Sequence, residues 1–552
     1  MKNSEPPGSS LLSSNLQPQP HPHPKKLVVI AALLAVAIAT FLLLPMGTPR
    51  ARLNVMQVIS VLFYLLVILR QAKTVSHEGW EQAGQDRPRG LWLALALGAA
   101  AWLSVIWLGF ISDDFVFISA ACRPGPGQLW DFLGRQQAGI FFRPVGFAMI
   151  FLDYHLWGHL AAGYHATNLF LHLLTVAGLF FLCEELGFGS EIAATSSLIF
   201  AVLPIHVEAV AWMVSRFDLL SACFSVWAIV FYLRFRNRGG TGMYIAALVF
   251  FLLAALSKEN AYVLPLLLLL AEYLLIPSHR FRPLLGFSFL AAVLFCYRWI
   301  LLGGIGGYSD SRGQPATLQI GFKTFEGVFI RGPAQLLLGY NWLQPPVLAV
   351  SVVASLTAAV LLLLALGARV GAVGWKRTVF CLCWIVLTIA PAHPLLLIGA
   401  GLPNSRVLHM GSIGLVLLIA LLLAGLSAGS RIRTATAGVL VLLLTLGVLH
   451  NLQAWRRTSQ LSNEFLSELK QLAPSPPAHA EFVFRDMPDT IRGVFFLREG
   501  LSEAIRMAYD RDDLDATRVS DRPLSPTDAH QISVIALQWV GETPPLLQRL
   551  RN

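Results

Sequence analysis

The sequence predicts an all-α, polytopic membrane protein with about thirteen transmembrane helices, followed by a small C-terminal α/β domain outside the membrane. Three observations predict this class. Of 552 residues, 55% are hydrophobic and only 13% charged, with a mean hydropathy of +0.63, too apolar for a soluble globule, whose charged fraction is near a quarter. Apolar runs of roughly twenty residues, the length that spans the hydrocarbon of a bilayer, recur along the chain. After residue 451 the composition changes to a charged, mixed text, "SPPAHAEFVFRDMPDTIRGVFFLREGLSEAIRMAYDRDDLDATRVS".

The elements follow in order. Residues 1–26 are rich in Pro, Ser and Gln and read as a disordered cytoplasmic tail, with "HPHP" as linker. Candidate spans at 27–45 and 53–70 form an extra N-terminal hairpin within 27–90. The first lacks a small-residue cleavage signature and reads as a retained anchor. A main membrane domain, 91–450, takes spans at 91–110, 166–184, 191–210, 218–235, 242–257, 261–276, 285–302, 347–367, 377–393, 410–428 and 433–450. The stretches 143–160 and 325–340 read as interfacial helices or short spans. In 451–552 a strand-like run (481–485), a helix-like run (500–510) and the apolar "ISVIALQWV" (532–540) suffice for a small α/β domain. The six cysteines show neither a disulfide framework nor a CxxC metal site.

Lys and Arg set the orientation. With Lys25 and Lys26 cytoplasmic, the connections carrying Arg70, Lys73, Arg87 and Arg89, then Arg234, Arg236 and Arg238, then Arg280 and Arg282, then Arg369, Lys376 and Arg377, then Arg431 and Arg433 all fall on the cytoplasmic side. The net charge of +10 is therefore orientation, in short clusters between spans, and no basic stripe points to nucleic acid. The opposite face collects loops 111–165 and 303–346, the turns "LPIHVEAVAWMVSRFD" (203–218) and "SKEN" (257–260), the segment 391–412 and the C-terminal domain. This places the chain as a multi-pass protein of an inner, plasma or endoplasmic-reticulum membrane. Its chemistry faces away from the cytoplasm. A carrier would instead show ionisable or Gly/Pro-broken positions in mid-helix and inverted repeats.

"GFISDDFVFI" (109–118), "FFRPVGFAMIFLDYHLWGHLAAGYHATNLFLHLL" (141–174), "FAVLPIHVEAVAWMVSRFDLLSACF" (200–224), "SKEN" and "NSRVLHMGSIG" (404–414) together carry a resemblance. Across residues 92–430 the chain resembles the integral-membrane GT-C glycosyltransferases, above all the protein O-mannosyltransferase-like branch and the membrane half of the transmembrane TPR-containing O-mannosyltransferases. The resemblance implies a catalytic acid in the first large external loop, a polyprenyl-phosphate sugar as donor, and a protein or glycan acceptor at the membrane surface. The chain departs from the pattern in its two extra N-terminal spans, in Asp-Asp where many relatives have Asp-Glu, and in lacking a TPR period of about 34 residues.

Sugar transfer from a lipid phosphate needs a base for the incoming hydroxyl and cations for the departing phosphate, which leaves as an anion without a general acid. Asp113 and Asp114 are the candidate bases, each raising the other's proton affinity; the alternative is that they cap a juxtamembrane helix. Glu208 is the second acid, set near the interface by Pro204 and expected to face Asp114. A divalent metal, Mg or Mn, shared by Asp114, His206 and Glu208 is a further expectation. The alternative pairs Glu208 and His206 with Arg216, and reads Ser215 with Asp218 as a capping box. Arg143, Lys258 and Arg406 are nominated for the donor phosphate, with His409, three residues beyond Arg406, as an added donor. His165, Asn168 and His172 share one helical face and either line the cavity or bond between helices. "GGIGGYSD" (303–310) lacks the context of a nucleotide-binding loop. The competing class is a transporter or assembly scaffold in the same membrane.

Overall fold

A computed structural model describes residues 57–60, 63–64, 87–122, 141–309, 312–344, 374–425, 430–519 and 534–550. Among them, six helices are long and apolar enough to cross a membrane, or seven if one bent pair is a single span. Six predicted spans correspond to these helices: α1 (Arg87–Trp102, extended by a 3-10 turn to Trp107), α4 (Ala161–Glu185), α7 (Arg216–Arg238), α10 (Leu284–Leu302), α11 (Trp375–Ile389) and α13 (Ser430–Leu472). The predicted spans 27–45 and 347–367, and all of 53–70 but six helical residues, lie outside the described residues.

Of the remaining predictions, 242–257 and the short helix from 143 hold, and 191–210, 261–276 and 410–428 need correction. The run 191–210 breaks after Ala201: α5 (Ser190–Ala201) bends by 47° into the segment Pro204–Ala211, which ends in α6 (Val207–Ala211). Pro204 starts that second half, where its missing N–H costs nothing. α8 (Thr241–Ser257), α9 (Leu264–Leu274) and α12 (Ser412–Ala424) are shorter than a full crossing, at 17, 11 and 13 residues. Residues 259–263 form a 3-10 turn, and Pro265 opens α9 behind it. The stretch from 143 forms α3 (Pro144–Trp157), only 14 residues long.

α4 and α7 form the middle of the bundle and are mostly buried, whereas α10 lies at the edge with Leu285, Phe289 and Ile300 exposed. α1 lies close on α4 and α5 through small residues: a Cβ on Gly90 would stand 2.6 Å from that of Ala194, and one on Gly98 would meet Leu173 and Ala201 at about 3 Å. The chain is thus a multi-pass helical membrane protein.

α13 is 43 residues long, about 65 Å at 1.5 Å per residue, twice the hydrocarbon thickness of about 30 Å. It crosses residue 451 without a break and carries the C-terminal strands. β1 (Glu481–Arg485) pairs in parallel with both β4 (Asp515–Val519) and β5 (Val534–Trp539), and β6 (Leu547–Arg549) adds antiparallel to β5. α14 (Leu501–Tyr509) lies between β1 and β4 as the crossover that a parallel pair requires. Phe482 and Phe484 of β1 pack in one apolar core with Phe465 of α13, Ile505 of α14, Phe110, and Phe115 of α2 (Asp114–Cys122), the short helix that the second acid of the pair opens. A Cβ on Gly500, whose φ is +77°, would stand 2.7 Å from the Ser112 carbonyl. The C-terminal unit therefore sits directly on the acidic loop.

Candidate functional site

The site is assembled at one end of the bundle, where α7 begins and α8 ends. Ser112 adopts the left-handed conformation, with φ of 49°, turning the chain so that the two acids face different surroundings. Asp114 is fully buried. Its carboxylate accepts from the backbone N–H of Ile111 at 2.9 Å and of Val214 at 3.3 Å. Burial, reinforced by the neighbouring Asp113, pushes its carboxyl well above the ordinary range despite those two bonds. Asp113 is half-buried, accepts from the Ser112 hydroxyl at 3.1 Å and lies in the field of Arg406. One acid is fixed to backbone; its neighbour is accessible.

The three nominated cations come together, each on a carboxylate. Arg143, the residue ahead of α3, grips Glu259 with two nitrogens, at 3.0 and 2.5 Å, and lies 4.0 Å over the Phe141 ring. Lys258 donates to both oxygens of Asp218 at 2.6 Å. Arg406 donates to Glu208 at 2.6 Å, approaches Asp218 at 3.8 Å and lies 4.9 Å over Trp212. Asp218 thus links two of the pairs, and Lys258 feels both arginines. Burial lowers the Lys258 ammonium, and Arg143 and Arg406 push the same way, against Asp218. Burial raises the Glu259 carboxyl, but Arg143, Arg298 and Lys258 outweigh it and hold it at about 2. Tyr308, from the loop after α10, lies close enough to act electrostatically on Arg143 and Arg406.

Several expectations are corrected. Glu208 does not face Asp114: its carboxylate accepts from the backbone N–H of Asn404 and Arg406, the Ser405 hydroxyl and the Arg406 guanidinium. It holds a turn in place. Ser215 makes no side-chain cap, and the Asp218 carboxylate is taken by Lys258. Arg216 pairs with Asp153 at 2.5 Å instead of Glu208 or His206. Asp114, His206 and Glu208 do not form a metal set, since each is committed elsewhere; His206 Nε2 bonds the Ser412 hydroxyl at 2.8 Å. His409 lies away from any nominated phosphate cation's pair, 3.3 Å from His172. Asn168 bonds between helices, giving its Nδ2 to the Trp212 carbonyl and accepting from Arg216 Nε. His165 is buried beside the Gly109 backbone.

Reading by motif missed Asp218, Glu259 and Arg298. The first two sit inside quoted motifs, as the last residue of 203–218 and the third of "SKEN". Arg298 is a lone cation near the end of an apolar span, where snorkelling is the ordinary reading. Instead it is 6% exposed, leaves Nε without a partner, makes no ion pair among the described residues and lies in the field of Glu259.

Residues 143–300, from Arg143 to the end of α10, match one protein-family model. It is described as dolichyl-phosphate-mannose-protein mannosyltransferase. The resemblance to O-mannosyltransferases is thereby shown over the segment that contains Glu208, Asp218, Lys258, Glu259 and Arg298. Protein O-mannosyl-transferase TMTC1 of Mus musculus is 33% identical over 199 residues, 32% of this chain and 21% of that protein. Its Homo sapiens counterpart is 34% identical over 31% of this chain and 22% of its own, and the O-mannosyl-transferase F38B6.6 of Caenorhabditis elegans 30% identical over 31% and 26%. The matched stretch spans only about a fifth to a quarter of these relatives. A solved structure of ArnT from Cupriavidus metallidurans bound to undecaprenyl phosphate aligns over 81% of this chain and 92% of its own, at 14% identity and a TM-score of 0.38.

Proposed function

We propose that this chain is a GT-C-type membrane glycosyltransferase that moves a sugar from a polyprenyl-phosphate donor to an acceptor hydroxyl, in protein O-glycosylation, on the non-cytoplasmic side of its membrane. The observation that carries this reading is the pairing of an accessible carboxylate, Asp113, with a linked set of buried cations at the same end of the bundle. In this reaction the acceptor O–H gives its proton to Asp113 as the oxygen bonds the anomeric carbon. The bond from that carbon to the phosphate oxygen breaks, and the phosphate leaves as an anion toward Lys258, Arg143, Arg298 and Arg406. Carboxylates already beside the cations keep them oriented, as preorganised stabilisation requires.

Asp113 is assigned as the base on geometry: a base must reach the proton it takes, and the Asp114 oxygens are buried against Ile111 and Val214. Asp114 positions the loop. Residues 91–450 then form the catalytic domain, 27–90 an added hairpin, and the unit beyond 451 an external cover that guides the acceptor. Relatives named as O-mannosyl-transferases favour mannose and a protein acceptor; a glycan or lipid hydroxyl is the alternative acceptor of the same chemistry.

The purified chain, given polyprenyl-phosphate mannose and a Ser/Thr peptide, is expected to transfer the sugar, with Asp113→Asn losing about 10²–10⁴-fold and Asp114→Asn less. Equal losses in the two variants would withdraw the base assignment. No transfer by the wild type with several donors and acceptors would leave the non-enzymatic class.

A further inference from the structure

His172, His206 and His409 form a cluster that the transfer chemistry does not use. All three are buried, and one ring nitrogen of each lies within 4.8 Å of those of the other two. They come from three separate elements: the middle of α4, the bend between α5 and α6, and the turn just after Arg406. We propose that these imidazoles hold a zinc(II) ion that pins the bend and the turn to α4.

Tautomers follow from the hydrogen bonds. His172 Nε2 lies 3.2 Å from the Ala201 carbonyl, to which it can only donate, so Nδ1 carries the lone pair. Ser412 spends its hydroxyl proton on the His409 carbonyl at 2.7 Å, so its oxygen accepts from His206 Nε2 at 2.8 Å. His206 Nδ1 is then a buried lone pair with no donor; the Phe200 carbonyl, which lies close to the ring, is itself an acceptor. His172 and His206 thus give one N–H to a carbonyl or a hydroxyl and leave the other nitrogen bare, which is how second-shell partners prepare histidine ligands.

As hydrogen bonds alone the set is incomplete. If His409 Nε2–H donates to His172 Nδ1, His206 Nδ1 remains buried without a hydrogen bond among the described residues, a cost of about 1–3 kcal/mol. The 3.3 Å from His172 Nδ1 to His409 Nε2 is also the separation of about 3.3–3.4 Å between two nitrogens bound tetrahedrally to zinc at about 2.0–2.1 Å. Three neutral imidazoles without a carboxylate suit zinc and not the oxygen-seeking Mg or Mn. Phe200 packs on all three rings, at centroid distances of 4.5 to 5.6 Å, and restricts their rotation. The ion would lie behind Glu208, two residues from His206, and so brace the turn that presents Arg406.

The test uses the full chain without an affinity-tag polyhistidine, in a His21→Asn/His23→Asn background that removes "HPHP". After loading with zinc and gel filtration, about one zinc per chain is expected, lost in His172→Phe and in His409→Phe but kept in His450→Gln, a buried histidine outside the cluster. X-ray absorption on the background protein should show nitrogen neighbours at about 2.0–2.1 Å, and Ser412→Ala should weaken binding about 10–100-fold. A background protein that retains no zinc, zinc retained by His409→Phe, or an all-oxygen shell would each overturn the proposal. The spectrum of the background protein keeps the test decisive where a histidine variant fails to fold.

Discussion

The two ends of α7, about 33 Å apart along the helix, carry ion pairs of different character. At its C-terminal end two acids each collect three donors: Glu272 accepts from Arg236, the Tyr232 hydroxyl and the Arg280 N–H, and Glu185 from Arg234, Arg238 and Asn237. These pairs staple neighbouring helix ends. At its N-terminal end Asp218, Lys258, Arg406 and Glu208 are linked through a shared carboxylate, Arg143 and Glu259 lie in the same field, and Arg298 has no ion pair among the described residues. The difference teaches that charge in this bundle is of two kinds. One end uses cations to neutralise its acids, and the other holds a buried cation, Arg298, with no ion pair among the described residues.

Three experiments probe that contrast, the largest effect first. Glu272→Leu leaves Arg236 buried without its partner, both side chains being nearly inaccessible. It should cost about 3–5 kcal/mol in thermal unfolding, while the transfer rate per folded molecule is unchanged. A variant that loses its rate without losing stability would break the comparison. Arg298→Gln should do the reverse: stability close to wild type, and polyprenyl phosphate bound roughly 10–100-fold more weakly, since a hydrogen bond to a charged group contributes about 1.5–3 kcal/mol. Arg238→Gln, at the exposed edge of the other end, should leave binding untouched; equal weakening by both substitutions would show that only total charge matters.

The smallest effect is with pH. Glu259 is held at about 2 against 4.5 when unperturbed, so its folded-state contribution is complete above 4.5 and fades as pH falls toward 2. Melting curves of wild type should drop over that window, and those of Glu259→Gln should drop less. Parallel curves would remove Glu259 from the linked set.

Much of this was readable along the chain. The apolar runs and their flanking Arg and Lys located six of the long helices, and "EFVFR" and "ISVIALQWV" marked strands that pair in the C-terminal sheet. Asp113, Asp114, Arg143, Lys258 and Arg406 stood out as charges at helix ends, and the structure gathers them at one end. The span 242–257 matched α8, whereas the lengths of α9 and α12 were overestimated because hydropathy continues across 3-10 turns and loops that backbone geometry interrupts.

By itself, then, the sequence determined a membrane-spanning helical chain and marked its candidate acids and cations at helix ends, because hydropathy and charge act locally, residue by residue. Only the tertiary structure decided partners. Glu208 with Arg406, Arg143 with Glu259 and His172 with His409 join residues 116 to 237 positions apart. Which charge neutralises which is fixed by how the helices pack, because a buried carboxylate or imidazole must find its partner in space and carries no mark of it in the chain.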